Sequence, residues 1–322
     1  MDLSIIIVNY NSLKFLKKCL DSINLTLLKI DGKRSISHEI VVVDNGSGDG
    51  SIEFLKKLKA IRDDDSLKFI DCGKNTGFSA ASNKGAGLAT GRYLLFLNPD
   101  TELTYGVSHF IEVIDFYREK SNKEKIGALG VKTINPDGSI QFSCRSFPTL
   151  ARQFYESFSL HKIFKRSRVF GAYFMTYSDH DKDMEVDWLS GSFIMIEKSI
   201  FDKIGCFDED YFIYSEDTDL CLRLKRKGFK NYYYSRYKII HSDAGIASKN
   251  MPLRESQIGK SRKKYFLKNY SRSHAAFFGF LYFKYLFNRI IVFSILAVFK
   301  NRRRSYKTRL KNYSSALKLY LS

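Results

Sequence analysis

The first hundred residues alternate short apolar runs with segments of helical periodicity. The runs SIIIVN, EIVVV, LKFI and YLLFL are each followed by polar residues. They predict strands at 3–11, 39–43, 67–70 and 93–97, with helices between them. Buried strands that alternate with helices favour an α/β fold with a mostly parallel sheet flanked by helices. Ligands of such sheets collect beyond the carboxyl ends of the strands, so polar residues there are the first candidates for a site.

The composition is that of a folded protein in a reducing compartment. The chain has 322 residues, and 44% of them are hydrophobic, which is ample for a core. Its five cysteines form no CxxC pair, which argues against a disulfide framework or a zinc site. The N-terminal apolar run is too short for a signal sequence, and we read it as the first strand. We therefore expect the catalytic part to face the cytoplasm.

The positive charge is concentrated near the C-terminus. The formal net charge is +19, and residues 260–322 contain 16 Lys or Arg and no Asp or Glu. The preceding 259 residues carry a net charge of only +3. A basic tail suits nucleic acid or an anionic membrane surface. No nucleic-acid recognition module is present, and the aromatic residues of this tail lie in apolar runs, so the pattern favours the membrane surface.

Acidic and imidazole groups lie at the ends of several predicted elements. Asp44 and Asp100 follow strands, Glu216 and Asp217 begin a helix, and His241 ends the last predicted strand. Each has a structural alternative, because a carboxylate at these positions also serves as a turn or capping residue. Ser12 is similarly placed to cap the first helix.

Together these groups suit the transfer of a sugar from a nucleoside diphosphate. Asp44 can accept hydrogen bonds from a nucleoside, while Asp100 and His241 offer ligands to Mg²⁺ or Mn²⁺. Such a cation neutralises a leaving diphosphate. Asp217 is the candidate base, because an ionised carboxylate can take the proton of an acceptor hydroxyl.

Six collinear segments resemble a known family. They are SIIIVNYNS, EIVVVDNGSGDGS, NTGFSAASNKG, YLLFLNPDTEL, LSGSFIMIEKSIFDKIGCFDEDYFIYSEDTDLCLRLKRKG and IIHSDAG, and they cover roughly residues 3–250. The chain resembles a family 2 glycosyltransferase with the GT-A fold, within the bacterial rhamnosyltransferase-like branch that builds cell-surface polysaccharides. This resemblance implies a GT-A type, mostly parallel sheet with a Rossmann-like nucleotide-binding half. It also implies an inverting hexosyltransferase that uses a dTDP- or UDP-linked donor.

The resemblance also implies roles for particular residues. Those expected to bind the nucleotide sugar are Val8, Asn9, Tyr10, Asp44, Asn75, Gly77, Asn98 and Asp100. Asn98-Pro99-Asp100 corresponds to the Asp-x-Asp metal motif, so an amide replaces the first carboxylate and Asp100 alone supplies charge. His241 is implied as a further metal ligand.

The remaining implied roles concern catalysis and the acceptor. Asp217 takes the position of the base, and Glu216 helps to position donor or acceptor. Trp188, Gly191 and Ser192 fall where the acceptor pocket is expected, although a core aromatic is an equal alternative for Trp188. The corresponding division is a catalytic domain at 1–255, with a nucleotide-sugar half at about 1–103 and an acceptor half at about 104–255, and a basic amphipathic helical region at 256–322.

The segment from Ala275 to Val298 is mostly apolar and long enough to span a bilayer. Lys284 and Arg289 interrupt it, and each costs about 2.5 to 3.5 kcal/mol within lipid. We therefore favour amphipathic helices lying at an anionic membrane surface over a span. A packed helical subdomain or a homo-oligomer contact is the alternative. The favoured interpretation places the enzyme peripherally at the inner face of the cell membrane, with a glycan or a polyprenyl-diphosphate-linked acceptor.

Two other functions remain open from the sequence. A nucleotidyltransferase acting on a sugar phosphate also combines a nucleotide-binding α/β domain with a bound metal. It would require a Gly-rich signature after the first strand, which VNYNSLKFL lacks. A non-catalytic, membrane-associated carbohydrate-binding protein is the third interpretation, and the presence of all four candidate groups opposes it.

Overall fold

The structure is a computed structural model that describes residues 1–28, 36–61, 66–104, 107–242, 250–299 and 303–322. The strands of the described residues are β1 Leu3–Asn9, β2 His38–Asp44, β3 Leu67–Asp71, β4 Tyr93–Leu97, β5 Thr101–Leu103, β6 Ile126–Ile134, β7 Ile140–Gln141, β8 Cys144–Arg145, β9 Met184–Val186, β10 Trp188–Leu189, β11 Phe193–Glu197 and β12 Lys230–His241. The helices are α1 Leu13–Leu28, α2 Ser51–Ile61, α3 Phe78–Leu88, α4 Val107–Lys123, α5 Leu150–Ser157, α6 Leu160–Ile163, α7 Lys198–Lys203, α8 Glu216–Arg226, α9 Met251–Asn269, α10 Arg272–Phe299 and α11 Arg303–Leu321.

The strands form a mixed sheet in the order β3-β2-β1-β4-β11-β6-β12-β5. The predicted first four strands all form, and β3, β2, β1 and β4 are parallel to one another. β11 then lies antiparallel between β4 and β6, while β12 runs parallel to β6. Flanking helices complete the architecture, so the expected α/β fold is confirmed.

Both faces of the parallel strands are covered, which explains their continuous apolar sequences. All seven residues of β1 are buried. On one face Ile5 and Ile7 belong to the core that includes Leu16 of α1 and Phe110 of α4. On the other face α3 lies so close that a Cβ on Gly85 would be 2.6 Å from Cγ2 of Ile6. Alternate strand residues therefore contact different helix layers.

The short strand β5 carries the chain from the middle of the sheet to its far edge. Only three residues separate the end of β4 from the start of β5. Nevertheless β5 pairs with β12, with Thr101 opposite His241. This crossing puts the Asn98-Pro99-Asp100 segment beside the carboxyl end of β12.

The chain forms two compact units that no single cut separates. The first contains Met1–Phe147, Ser178–Phe212 and Glu216–Ile246, and the second contains Pro148–Tyr177, Ile213–Ser215 and Ala247–Ser322. The predicted boundary after residue 255 therefore falls within α9, and the second unit also takes in α5 and α6.

Helices dominate the second unit. α9, α10 and α11 pack against one another, and α5 packs against α10. At Gly259 of α9 an added Cβ would lie 2.3 Å from the ring of Tyr282, so the helices approach closely there. Among the described residues one helix, Arg272–Val298, is long and apolar enough to cross a membrane. Its mean hydropathy is 1.6, and 28% of its apolar window is buried within the protein. The segment for which amphipathic helices were predicted forms one continuous helix.

Candidate active site

The crossing of β5 brings the two expected metal ligands together. Oδ1 of Asp100 lies 3.2 Å from Nε2 of His241, and both residues are buried. The backbone N–H of Ser242 also donates to the carbonyl of Asp100, at 3.0 Å. The carboxylate and the imidazole are thereby fixed against each other at the sheet end.

Gln141 of β7 determines which nitrogen of His241 faces the carboxylate. Nε2 of Gln141 donates to the carbonyl of His241, at 2.8 Å, and to Oδ1 of Asn135. The amide oxygen of Gln141 is therefore left to accept from Nδ1 of His241, at 2.9 Å. In the tautomer that has its proton on Nδ1, the lone pair of the imidazole is on Nε2, the nitrogen that lies next to Asp100.

This donor set fits a divalent cation. A carboxylate oxygen and an imidazole lone pair that face each other at 3.2 Å require a cation or a proton between them. The hydrogen bond from Nδ1 to an amide oxygen is the usual support of a metal-binding histidine. No group of three or more His, Cys, Asp or Glu side chains lies together within the described ranges. Protein would thus supply two ligands, and Mg²⁺ and Mn²⁺ commonly take others from substrate and water.

Asn98 adds a neutral amide to this cluster. Its Nδ2 lies 3.5 Å from Nε2 of His241, and its backbone N–H donates to the carbonyl of Ser192, at 3.2 Å. The amide can contribute a dipole but no charge. Within the Asn-Pro-Asp segment, the negative charge for a bound cation therefore comes from Asp100.

Glu216 and Asp217 begin α8 after a sharp turn. Tyr214 and Ser215 directly precede them with φ angles of 68° and 69°, a left-handed conformation that costs non-glycine residues free energy. Asp217 then accepts a hydrogen bond at each carboxylate oxygen. The backbone N–H of Gly191 donates to Oδ2, at 3.0 Å, and that of Thr218 donates to Oδ1, at 2.6 Å.

The two carboxyls differ in how well their charged forms are stabilised. Burial and the nearby charge of Asp217 raise the pKa of Glu216 well above its ordinary value, and Oε2 of Glu216 has no hydrogen-bond partner among the described residues. Burial also raises the pKa of Asp217, but the N–H groups of Gly191 and Thr218 and the charge of Arg145 oppose that rise. Glu216 therefore holds a proton more strongly, and Asp217 is the member that ionises first.

The segment between β10 and β11 connects this pair to the metal-site candidates. Gly191 donates to Asp217, and the next residue, Ser192, accepts from the backbone of Asn98. Two predicted acceptor residues thus bridge the candidate base and the Asn-Pro-Asp segment through their backbone.

Trp188 lies behind this segment. The indole is buried, and its N–H donates to the carbonyl of Ser146, at 2.9 Å. The guanidinium of Arg145 lies over its ring, 5.0 Å from the centroid. These contacts favour the alternative in which Trp188 is a core aromatic residue. Trp188 also helps to place the cation of Arg145 near Asp217.

The predicted nucleoside residues lie at the ends of β1 and β2. Asp44 is fully buried and accepts from Nδ2 of Asn9 and from the backbone N–H of Ser47, each at 2.8 Å. Val8 and Asn9 are buried, whereas Tyr10 is partly exposed. Both oxygens of Asp44 thus have partners within the protein, and the carboxylate fixes the loop that follows β2.

Asn45 joins that loop to the one after β3. Its Nδ2 donates to Oδ1 of Asn75, at 3.0 Å, and its Oδ1 accepts from the backbone N–H of Thr76, at 2.8 Å. Gly77 has a φ of 89°, and a Cβ there would lie 2.7 Å from the carbonyl of Phe212, so glycine is required. Asn75 is exposed on this loop while Gly77 is buried.

Three residues absent from the predicted site thus support it, namely Asn45, Gln141 and Arg145. Asn45 directly follows a predicted strand end, a position that marks it in the sequence. Gln141 and Arg145 act through partners about a hundred and about seventy positions away, which no local pattern shows. The Asp243-Ala244-Gly245 part of the last resembling segment lies outside the described residues.

The chain is similar to known proteins over much of its length. The family model "Glycosyl transferase family 2" matches residues 4–121. An N-acetylglucosaminyl-diphospho-decaprenol L-rhamnosyltransferase of Mycobacterium tuberculosis is 28% identical over 253 residues, which is 75% of this chain and 76% of that protein. The rhamnosyltransferase WbbL of Escherichia coli K12 is 33% identical over 154 residues, covering 46% of this chain and 52% of that protein.

The fold agrees with these matches. The mannosyltransferase PcManGT of Pyrobaculum calidifontis, solved with GDP-Man and Mn²⁺, aligns with a TM-score of 0.56 at 13% identity, over 99% of this chain and 86% of that chain. The family model covers the parallel strands and the Asn-Pro-Asp segment, and the mycobacterial relative extends the similarity to 75% of the chain, so this chain carries a glycosyltransferase family 2 domain and is a glycosyltransferase.

Proposed function

We propose that this glycosyltransferase transfers a hexose, best matched by L-rhamnose, from a dTDP- or UDP-linked donor to a hydroxyl of a lipid-linked glycan. The reaction proceeds with inversion, in one in-line displacement. Support comes from two relatives that are named as rhamnosyltransferases, one of them acting on a diphospho-decaprenol. Either the growing glycan or a polyprenyl-diphosphate-linked sugar serves as the acceptor.

Asp217 is the general base in this proposal. Its backbone hydrogen bonds and the cation of Arg145 favour the ionised form, while burial keeps its pKa above the ordinary value of 3.8. A carboxylate with a raised pKa accepts a hydroxyl proton more readily as the new bond to the sugar forms. Glu216 remains protonated and positions donor or acceptor.

Asp100 and His241 would hold Mg²⁺ or Mn²⁺ at the diphosphate of the donor. The cation, when bound, supplies positive charge that stabilises the leaving diphosphate. Gln141 keeps the lone pair of His241 directed at the site, and Asn98 orients the segment through Ser192. Asn9, Asp44 and Asn45 hold the loops expected to contact the nucleoside.

One observation carries this proposal. Gly191 and Ser192, adjacent in sequence, hydrogen-bond respectively to the candidate base and to the backbone of Asn98 in the metal segment. An acceptor hydroxyl activated at Asp217 and a donor diphosphate held at Asp100 therefore meet at one edge of the sheet. This is the arrangement that a direct displacement requires.

The chain further binds an anionic membrane surface through its C-terminal helices, at the inner face of the cell membrane. The 16 basic residues and the absence of acids in residues 260–322 support this part of the proposal. Exposed apolar side chains on α10 supply the surface that would enter the interface.

The substitution Asp217→Asn tests the assignment of the base. It removes the proton acceptor but keeps a similar shape, so we expect transfer to fall by about 10² to 10⁴ while donor binding changes little. Release of nucleoside diphosphate would be measured with a panel of dTDP-rhamnose, UDP-galactofuranose and UDP-hexoses in the presence of acceptor.

Asp210→Asn is the matched control, because Asp210 is an exposed carboxylate in the loop before α8. Its turnover should equal that of the unmodified protein. Full turnover by Asp217→Asn would remove Asp217 as the base. A panel in which no donor is consumed by the unmodified protein would reject the proposed donor class.

A further inference from the structure

The short helix α5 of the second unit has polar residues inside and aromatic residues outside. Gln153 is its one buried residue, and its Oε1 accepts from Nη1 of Arg262 in α9, at 2.8 Å. Three positions later, on the same face, Glu156 accepts from Nε2 of Gln153, at 2.9 Å. Phe154 and Phe158, which are four positions apart, are exposed. A helix that faces water has the reverse arrangement, so the outer face of α5 is suited to an apolar partner.

The exposed aromatic residues of α5 continue into the turns that follow α6. The ring of Phe154 has its centroid 4.9 Å from that of Phe158 and 6.1 Å from that of Tyr155. The ring of Phe170 lies 5.1 Å from that of Tyr155 and 5.1 Å from that of Phe164. These rings therefore form one connected cluster. Five apolar side chains of the segment are between 42% and 68% exposed, and together they form its outer apolar surface: Phe154, Phe158, Ile163, Phe164 and Val169.

Hydrogen bonds within the segment hold the turns that carry this surface. The backbone N–H of Ser167 donates to the carbonyl of Phe164, at 3.0 Å, and that of Gly171 donates to the carbonyl of Ser167, at 2.9 Å. The hydroxyl of Thr176 donates to the carbonyl of Lys165, at 2.7 Å. A Cβ on Gly171 would lie 2.2 Å from Oγ1 of Thr176, so the turns pack closely on themselves. The backbone that presents Phe164 to solvent is thus fixed by its own contacts.

Basic residues are interleaved with the outer apolar surface. Residues 148–177 contain five Lys or Arg and one acid, Glu156, so the segment carries a charge of +4. Four of these cations are exposed: Lys162, Lys165, Arg166 and Arg168. Oε2 of Glu156 lies 3.8 Å from Nη1 of Arg262, on the inner side of α5. The segment's positive charge is therefore on its outer side, and it exceeds the net charge of +3 that residues 1–259 carry in total.

We propose that the outer apolar surface inserts into the interface of an anionic bilayer, with the four exposed cations of the segment on the lipid phosphates. Aromatic side chains enter the boundary between head groups and acyl chains, while adjacent cations bind anionic head groups. The centres of protein–protein interfaces are depleted in lysine, so Lys162 and Lys165 favour lipid over a protein partner. The inference rests on the part of the proposed function that puts the enzyme at a membrane. It assigns a second contact to residues 154–169, separate in sequence from the C-terminal helices.

A tryptophan introduced by Phe158→Trp tests whether this surface enters lipid. The chain's own single tryptophan, Trp188, is buried in the first unit. The full-length variant would be bound to phosphatidylglycerol vesicles whose acyl chains carry bromine. We expect the emission added by the substitution to shift to shorter wavelength and to be quenched by the bromine. Leu25→Trp, at an exposed position of α1, is the matched control and should remain unquenched.

Sedimentation with phosphatidylglycerol vesicles measures the apolar contribution. Phe158→Ser combined with Phe164→Ser should weaken binding by at least about tenfold, because two aromatic side chains no longer leave water on binding. Leu25→Ser combined with Leu88→Ser is the control, since both leucines are exposed in the first unit. This control should bind as the unmodified protein does.

The same measurement gives the contribution of charge. Replacing Lys165, Arg166 and Arg168 together by Gln should weaken vesicle binding by about a hundredfold, because each cation contributes to attraction by the anionic surface. The control replaces the exposed lysines of α2 at positions 56, 57 and 59 by Gln, and its binding should be unchanged.

Three outcomes would overturn the inference. The first is a vesicle-bound protein whose introduced tryptophan is not quenched, and the second is an equal loss of binding in the variants and their controls. The third is dissociation of a dimer by Phe158→Ser with Phe164→Ser while vesicle binding is unchanged, which would assign the surface to a second copy of the chain. None of these measurements requires sugar transfer, so absence of turnover counts against the proposed function alone. Unchanged vesicle binding after replacement of Arg304, Lys307 and Lys311 would remove only the membrane contact of the C-terminal helices.

Discussion

Gln141 shows how one side chain outside the predicted site can control its chemistry. Its amide makes three hydrogen bonds, two to His241 and one to Asn135. Without the acceptor at Nδ1, the imidazole of His241 can adopt the other tautomer and turn its N–H toward Asp100. The orientation of the proposed metal ligand therefore depends on a residue of the β6–β7 hairpin.

Gln141→Leu should weaken Mn²⁺ binding by about 10- to 100-fold, the usual cost of losing the partner of a metal-binding histidine. Titration of the protein with Mn²⁺, followed by electron paramagnetic resonance of the free ion, measures the effect. Gln141→Glu retains an acceptor for Nδ1 and should bind Mn²⁺ more tightly than Gln141→Leu. Equal affinity of the leucine variant and the unmodified protein would show that Gln141 does not support a metal ligand.

Arg145 should set the acid limit of activity. Burial raises the pKa of Asp217, and the guanidinium lowers it again. Transfer needs ionised Asp217, so kcat/KM should rise with pH through a pKa above 3.8. Arg145→Gln removes the opposing cation and should move this acid limb to higher pH. The control is Arg118→Gln, an exposed arginine paired with Asp2. If the acid limb of the kcat/KM profile stays at the same pH in Arg145→Gln, Arg145 does not lower the pKa of Asp217.

The sequence marks the candidate site residues, but it does not mark the residues that hydrogen-bond to them. Asp100, Asp217 and His241 were recognised because they end or begin elements. Ser12 was expected to cap α1, but its hydroxyl donates to Oδ1 of Asn9, and Asp49 accepts from the first helical N–H at Leu13. A capping side chain 36 positions away leaves no mark in the local sequence.

The elements themselves follow largely from local periodicity. The parallel strands have continuous apolar sequences because helices cover both faces, and the turn of the β6–β7 hairpin uses Gly138 with a φ of 82°. The antiparallel insertion of β11 and the crossing of β5 were not predicted. Both depend on which strand becomes the neighbour, and a strand's sequence records its burial but not its partner.

A buried ion pair joins β2 to β3. Glu39 is fully buried, and its Oε2 lies 2.6 Å from Nζ of Lys68. Burial would raise the pKa of Glu39, but hydrogen bonds from Lys68, Ser4 and Thr90 prevail and lower it to about 2. The ionised form therefore stabilises the folded state above the unfolded pKa near 4.5, and this contribution disappears as the pH falls toward about 2.

Lys68→Met should lower the free energy of unfolding by about 3 kcal/mol at pH 7, since it leaves a buried carboxylate without its cation. Urea unfolding at several pH values measures the effect. The difference between the variant and the unmodified protein should shrink as the pH falls from 4.5 toward 2. Lys57→Met, at an exposed position of α2, should change stability by less than about 0.5 kcal/mol. A constant difference across that pH range would contradict the role of Glu39.

At the scale of the whole molecule, charge divides along the chain. The first 259 residues are nearly balanced, and the last 63 carry almost all of the excess. Sequence alone revealed this asymmetry because it is compositional. It could not reveal that the segment 148–177 joins the C-terminal helices, since that grouping depends on contacts between distant parts of the chain.

The basic helices should govern affinity for anionic membranes. Replacing the exposed Arg304, Lys307 and Lys311 together by Gln should weaken binding to phosphatidylglycerol vesicles by roughly a hundredfold, at about 1 kcal/mol for each cation. Sedimentation with the vesicles measures the bound fraction. The matched control replaces three exposed lysines of α2, at positions 56, 57 and 59, and should bind normally. If vesicle binding falls equally in the two triple variants, any exposed cation contributes equally and the C-terminal helices are not a dedicated membrane-binding surface.

The position of β11 also governs when the site can form as the chain is made. β4 cannot acquire its second neighbour until residues 193–197 have been synthesised, and until then it presents an open edge to other chains. Asn98 and His241, 143 positions apart, meet only after β12 has docked. A ribosome-bound N-terminal half therefore lacks a completed diphosphate site. Catalytic competence should arrive late in folding, with the closure of the longest loop in the sheet.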